Sequence, residues 1–442
     1  MNGAQTLAAL REGQFAGTTR LDLSAGLTEF PREVFSLADT LEVLNLSGNR
    51  LSALPDDLHR LHRLRILFCS DNAFTELPRA LGACAQLEMA GFKANRIRSV
   101  PAECFGGERA LRWLILTNNA IEQLPETIGD CTRMQKLMLA GNRLATLPTS
   151  LANCRQLELL RLSANRFEAL PNGLMHLPRL TWLACAGNPF NAAREAAALN
   201  DTPIASVPWI DLTLGKQLGE GASGVIHAAE QHTAQGPQRV AVKLFKGEVT
   251  SDGWPASEMA ASLAAGTHPQ LIALRGRVGA HPAGTQGLVM ERIGPEWRNL
   301  AGPPSFASCT RDVYAEGTRF DADSVRQLAR GIASAAAHLH ARGMVHGDLY
   351  AHNILWRPGT DGAPAKALLG DFGAAALLPD AATAAIVQRT EVRAFGCLLE
   401  ELIAHSDATD ELAPLATLRD ACLQDDPAAR PTMARVLAAL RG

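Results

Sequence analysis

Leucine and polar residues alternate in a short phrase that returns through the first half of the chain. In one copy Leu41, Leu44 and Leu46 lead to Asn49, and the asparagine returns as Asn72, Asn95, Asn119, Asn142, Asn165 and Asn188, at spacings of 23 or 24 residues. Leu-Pro or Val-Pro follows five residues after most of them, as in Leu54-Pro55, Val100-Pro101 and Leu170-Pro171. A period of two predicts one short strand per copy, with its leucines facing a core. No copy can bury its apolar face alone, so the pattern predicts a stack stabilised by neighbours. Each asparagine is expected to bond the turning backbone, forming a buried ladder. Gly26 stands where the first asparagine belongs, which suits a terminal cap. Beyond Asn188 the pattern changes. An Ala-rich stretch, Asn191 to Leu199, predicts a short helix, and Pro203 and Pro208 then interrupt regular structure. Strand-like runs follow over 210–218, 225–229, 240–243, 288–293 and 367–370, with an amphipathic helix over about 324–342.

The repeated phrase is the leucine-rich-repeat signature, running from about residue 18 to 190. Residues 1–190 are therefore expected to form a repeat solenoid, 191–208 a linker, and 209–442 a second domain. Between the buried leucines, the strand face carries Ile66, Phe68, Met89, Trp113, Ile115, Met138, Leu159 and Trp182. Single apolar residues on a solenoid need no explanation. A stripe continuous over adjacent repeats points instead to a protein partner. Cys84, Cys131 and Cys154 share the slot held by Leu61 and Leu177 in other repeats, which reads as core filling.

Composition narrows the class. A net charge of −3 over 442 residues gives no reason to expect nucleic acid or an anionic membrane, and Lys93, Lys136 and Arg161 do not change that. No basic leader precedes an early apolar run, and no stretch approaches the roughly 20 apolar residues of a membrane span. Nine cysteines without paired CxxC spacing fit buried thiols in a reducing cytoplasm. Lysine supplies only six of the 42 basic residues, a bias of GC-rich, bacterial genomes.

That scarcity makes Lys243, at the end of Val240-Ala241-Val242-Lys243, conspicuous. Before it lies Leu218-Gly219-Glu220-Gly221-Ala222-Ser223-Gly224-Val225, a GxGxxGxV loop with strand-like runs on both sides. Glycines there let backbone approach phosphate oxygens. His346-Gly347-Asp348-Leu349-Tyr350-Ala351-His352-Asn353 and Asp371-Phe372-Gly373 follow, then Glu391 to Leu399 and Asp426-Pro427-Ala428-Ala429-Arg430-Pro431-Thr432. From about Trp209 onward the chain resembles the protein-kinase family, whose motifs occur in this order. The two halves together resemble a soluble, bacterial leucine-rich-repeat protein kinase. The implied fold is a solenoid followed by a bilobal α+β kinase domain.

The resemblance implies a role for each residue. Lys243 would contact the α- and β-phosphates of ATP, held by Glu258, with Glu248 as runner-up. The helix carrying Glu258 is expected to open at Ser251 or Asp252. Leu218, Gly219, Gly221, Ser223, Gly224 and Val225 would cover the nucleotide. Met290 would be the gatekeeper, the Glu291 carbonyl and Ile293 amide would read the adenine edge, and Val225, Ala241 and Leu355 would sandwich the ring. Asp348 would be the base for a substrate hydroxyl, and Asn353 and Asp371 would hold Mg2+.

Several positions depart from the family. Gly347 replaces the arginine that reads a phosphorylated activation loop, although Thr383 and Thr390 are available as acceptors. Tyr350 replaces the lysine of Ser/Thr kinases. Glu391 replaces the usual Asp. Only twenty residues separate Asp371 from Glu391, without the Ala-Pro-Glu motif that would pair with Arg430. The insert from Pro295 to Phe320 is either a solvated loop or part of an acceptor site through Arg311, Asp312 and Tyr314. Three functions stay open: a Ser/Thr-directed protein kinase whose repeats recruit a protein, a scaffold with a silent kinase fold, and a small-molecule phosphotransferase.

Overall fold

The computed structural model describes residues 2–106, 110–247, 249–360, 363–408 and 410–441. It divides into two compact units, Met1–Leu180 and Thr181–Gly442. Glu248, the alternative partner for Lys243, lies outside the described residues.

The first unit opens with α1 (Gly3–Arg11), closed at its start by reciprocal bonds between Asn2 and Gln5. Seven three-residue strands follow, one per repeat: β1 (Arg20–Asp22), β2 (Val43–Asn45), β3 (Ile66–Phe68), β4 (Met89–Gly91), β5 (Trp113–Ile115), β6 (Lys136–Met138) and β7 (Leu159–Arg161). Each pairs in parallel with the next, one repeat out of register, as in Leu44 beside Leu67. Short 3-10 turns return the chain on the opposite side. The asparagine ladder is present. Asn142 accepts from the Ile121 amide at 3.1 Å and donates to the Leu116 and Leu139 carbonyls, each at 2.9 Å. All nine cysteines of the chain are buried free thiols, Cys84, Cys131 and Cys154 among them.

The predicted apolar stripe is only partly available. Phe68, Trp113, Ile115 and Met138 are half-buried, whereas Ile66, Met89, Leu159 and Trp182 are buried. Trp113 is covered in part by Lys136, whose ammonium lies 4.1 Å from the ring centre.

The second unit begins with β8 (Trp182–Ala184), α2 (Pro189–Asp201) and β9 (Ser206–Pro208). The stretch 191–208, expected as a linker, thus belongs to the second unit. Pro208 is tolerated because β9 lies at a sheet edge, pairing in parallel with β13 only. The chain continues through β10 (Leu212–Glu220), β11 (Gly224–Thr233), β12 (Gly236–Phe245), α3 (Pro255–Ala265), β13 (Leu274–Gly279) and β14 (Gly287–Glu291). These strands form a six-stranded sheet ordered β10-β11-β12-β14-β13-β9. Val207, Leu212, Val240, Val242 and Val289 fill its core. α3 starts at Pro255, three residues later than expected at Asp252. Thr250 and Gly253 close a turn first, and proline suits the first helical position.

The lower lobe contains β15 (Arg298–Asn299), α4 (Ala322–Ala341), β16 (Met344–Val345), β17 (Ile354–Arg357), β18 (Lys366–Leu369), β19 (Ala376–Leu377), α5 (Ala381–Ala404), α6 (Ala413–Cys422) and α7 (Met433–Ala439). α4 buries Val325, Leu328, Ile332, Ala336 and Leu339 on one face, at helical spacing. β15-β17-β18 form a small sheet, and β16 pairs with β19. α5 begins only ten residues after Asp371, because Asp380 caps it through the Thr383 amide. Thr390 lies inside α5, buried, its hydroxyl bonded to the Val387 carbonyl at 2.7 Å. It is no accessible phosphorylation site, contrary to the expectation. No described helix is long and apolar enough to cross a membrane.

Candidate active site

Two glycine-bearing strands, a lysine strand and a helix converge on one cavity in the second unit. β10 and β11 form an antiparallel hairpin with Glu220 opposite Val225. At its tip the Gly221 amide donates to the Gly224 carbonyl at 2.9 Å. A Cβ on Gly224 would stand 2.5 Å from the Leu244 carbonyl oxygen, so only glycine lets β11 and β12 approach so closely. Lys246 ties the tip down, reaching Glu220 Oε1 at 2.6 Å and the Gly221 carbonyl at 3.2 Å.

Lys243 leaves β12 toward α3 and pairs with Glu258. Both are buried, at 9% and 3% exposure. Burying such a pair carries a large desolvation cost, so its presence inside a cavity marks a functional arrangement. Burial raises the Glu258 pKa; the Lys243 charge pulls it down and the Asp371 carboxylate pushes it up, leaving it above its ordinary value. Lys243, Glu258, Met290, Asp371 and the glycine loop line a cavity of 330 Å³.

The other expected nucleotide contacts are placed differently. Leu218, Val225, Ala241, Glu291, Ile293 and Leu355 are not among the residues lining this cavity. Its lining also includes Ser262, Ala265 and Gly266 from the end of α3 and the residue after it. Glu291 and Ile293 instead border a separate cavity of 680 Å³ with His268 and Trp297.

Asp348 and Asn353 lie on the loop between β16 and β17. Asn353 Nδ2 donates to Asp348 Oδ2 at 2.8 Å and to the Asp348 carbonyl at 2.9 Å. That leaves Asn353 Oδ1 as an oxygen donor beside the Asp348 carboxylate. Asp371 holds a left-handed backbone, φ 55°, and accepts from the Gly373 amide at 3.1 Å. Such a conformation is uncommon for a residue with a Cβ and clusters at functional sites. His346 is fully buried and bonds the Gly370 carbonyl at 2.7 Å.

Several supports escaped sequence reasoning. Glu391 reaches up from α5, accepting from the Gly347 amide at 2.8 Å and meeting His340 Nε2 at 3.0 Å. Burial alone would raise its pKa; His340 and the Gly347 amide outweigh that and hold it low. Asp312, from the insert, accepts from the His352 amide at 2.9 Å and meets its Nδ1 at 2.7 Å. Tyr314 bonds Glu401 at 3.2 Å. The insert is thus anchored to the loop before β17 and to α5 through Asp312 and Tyr314, and Arg311 lies 5.4 Å from the Trp182 ring centre. Trp182 stacks on Tyr350 with ring centres 4.0 Å apart, and its Nε1 donates to the Leu349 carbonyl at 3.2 Å. Arg430, missing its expected glutamate, is buried on the Gln424 and Arg389 carbonyls at 2.8 and 3.0 Å. In sequence the signals near these contacts are the departures from family pattern at Gly347, Tyr350 and Glu391 and the polar insert residues Arg311, Asp312 and Tyr314.

The chain matches the family "Protein kinase domain" over residues 212–411 and "Leucine rich repeat" families over 40–61, 92–144 and 132–190. The mouse (Mus musculus) protein "Transforming growth factor beta activator LRRC32" is 36% identical over 26% of this chain. The Oryza sativa subsp. japonica protein "Putative cyclin-dependent kinase F-2" is 31% identical over 34% of it. The chain spans 18% and 43% of the lengths of these two curated relatives. A solved leucine-rich-repeat protein of Leptospira interrogans aligns with 40% of this chain and 50% of its own, at 26% identity and a TM-score of 0.33. The repeat array and the ordered kinase motifs agree with the family matches: the chain is a fusion of leucine-rich repeats with a protein kinase domain.

Proposed function

We propose that the second unit transfers the γ-phosphoryl group of ATP to a serine or threonine hydroxyl of a protein that the repeats recruit. The observation carrying this reading is the closed Lys243–Glu258 pair facing Asp371 across one cavity. In this family that pair and the Asp371 position must both be in place for transfer.

Lys243 would bind the α- and β-phosphates, oriented by Glu258. Gly219 and Gly221 have open space where a Cβ would be, so backbone amides of the loop can approach phosphate oxygens. Ser223 and Met290 line that cavity and would bound the nucleotide, whereas Leu218, Val225, Ala241, Glu291, Ile293 and Leu355 lie outside its lining and enter the reading only through the resemblance. Asn353 Oδ1 and the Asp371 carboxylate are hard oxygen donors, and two such groups plus substrate phosphates suit Mg2+. When bound, Mg2+ would neutralise charge on the phosphates. Asp348, fixed by Asn353, would accept the proton of the attacking hydroxyl. The half-buried Phe68, Trp113, Ile115 and Met138 form the recruiting face. The nine buried free thiols support a reducing, cytoplasmic setting.

One observation favours a small-molecule acceptor instead. Only residues 374–380 lie between the Asp371-Phe372-Gly373 motif and α5, which leaves little chain to cradle a peptide. Incubation with labelled ATP and Mg2+, with and without lysate, separates the two. Protein label that disappears in Asp348→Asn supports the proposal. Label confined to the small-molecule fraction replaces it, and nucleotide binding without any transfer refutes both.

A further inference from the structure

Within the second unit, α2 makes polar contacts that none of the steps above uses. Glu195 accepts from the Gly187 amide at 2.8 Å with one oxygen and from the Ser257 hydroxyl at 2.9 Å with the other. Ser257 is the neighbour of Glu258 on α3. Asn191, fully buried, donates to the Leu377 carbonyl at 2.8 Å. Arg194 donates to the Leu378 and Arg342 carbonyls, each at 3.0 Å. Leu199 of α2, and Ile204 just beyond it, pack against a cluster formed by Phe245, Leu288 and the α3 residues Met259 and Leu263. One helix therefore touches the element that carries Glu258, the strand after Asp371-Phe372-Gly373, and the end of α4 just before the catalytic loop.

Those three parts must be fixed relative to each other for Lys243, Asp348 and Asp371 to act together, since a displacement of about 1 Å can cost about a hundredfold in rate. A phosphorylated loop read by an arginine could do this, but residue 347 is glycine and the segment before α5 spans only residues 374–380. We propose that α2 does this work instead, with Glu195 as a positioning residue that holds α3, and hence Glu258, against Lys243. The site is then assembled without phosphorylation of the chain. This rests on the phosphoryl-transfer reading, and its test is arranged so that either can fail alone.

The experiment uses the full chain, with Glu195→Ala, Glu195→Gln, Ser257→Ala and the Glu195→Ala/Ser257→Ala double variant. Two readouts are taken: steady-state phosphoryl transfer with Mg-ATP, and hydrogen exchange of the α3 amides without nucleotide. Glu195→Ala lowers kcat at least tenfold with a smaller change in KM, and speeds exchange over residues 255–265. Glu195→Gln restores both, because its amide oxygen still accepts from Gly187 and its amide nitrogen can donate to the Ser257 oxygen. The double variant falls no further than Glu195→Ala, since both changes remove the same bond. Phosphatase-treated wild type keeps its rate. Wild-type rate and wild-type α3 exchange in Glu195→Ala would overturn the proposal, as would loss of activity on phosphatase treatment. If the wild type transfers no phosphate at all, the phosphoryl-transfer reading fails by itself. Exchange then decides the bracing role: faster α3 exchange in Glu195→Ala supports it and unchanged exchange overturns it.

Discussion

Substituting Gly347 by alanine probes why the family's arginine is absent. The backbone there has φ 75°, and a Cβ would stand 2.4 Å from the Ala374 carbonyl oxygen and 2.8 Å from that of Leu183. A left-handed conformation costs a residue with a Cβ about 1–2 kcal/mol. Both close atoms belong to backbone and cannot rotate aside, so overpacking adds about 1–3 kcal/mol. The sum is about 2–5 kcal/mol. At roughly 2–4 °C per kcal/mol for a domain approaching this size, the unfolding midpoint of the second unit should fall by about 4–20 °C. Gly317→Ala supplies the control: φ is again 75°, but no atom lies within 4 Å of the added Cβ. It should show the backbone strain alone, a fall of about 2–8 °C by the same conversion. Calorimetry of the full chain measures both. If Gly347→Ala unfolds no earlier than Gly317→Ala, crowding by Ala374 and Leu183 does not explain the glycine.

Three further outcomes follow from geometry. Asn142→Ala strands the Ile121 amide and the Leu116 and Leu139 carbonyls, so chemical denaturation of the repeats should show a loss on the order of 3 kcal/mol or more. Trp182→Ala empties the space stacked on Tyr350 and should cost about 3–5 kcal/mol in urea unfolding of the second unit; a loss under about 1 kcal/mol would contradict its burial there. Burial, with Asp312 adding to it, pushes the Glu401 pKa up to about 8. The folded state therefore binds its proton more tightly than the unfolded state, and this contribution is lost as pH rises from about 5 through 8. Glu401→Gln should flatten that part of the midpoint-against-pH curve, and an unaltered slope would refute the assignment.

What could be read from the sequence was mostly local. The asparagine spacing specified both the repeats and the bonds Asn142 makes, because each bond joins adjacent repeats. Asn2 and Gln5, three residues apart, carry a local signal for α1 as well. The order of motifs placed Lys243, Glu258 and Asp371 around one cavity. At Trp182 the apolar stripe is closed off; period-two alternation shows which way a residue points but not what covers it. Its cover, Tyr350, lies far away in sequence. The same distance hid the edge pairing of β9, where Pro203 and Pro208 signalled interruption. Counting residues showed a short segment between Asp371 and Glu391. That α5 already takes up its second half depends on Asp380, whose capping role is local but inconspicuous among so many alanines.

The kinase family match begins at residue 212, whereas the second unit begins at Thr181. Residues 181–211 supply the ring on Tyr350, packing on the cluster that includes Met259 and Leu263, and the edge strand beside β13. Cutting the chain at the family boundary would bare those surfaces together. As an inherited module, the catalytic half is therefore larger than the domain by which it is recognised. A recombination that exchanged one repeat array for another would have to join upstream of Thr181, leaving the last repeat strand with the kinase.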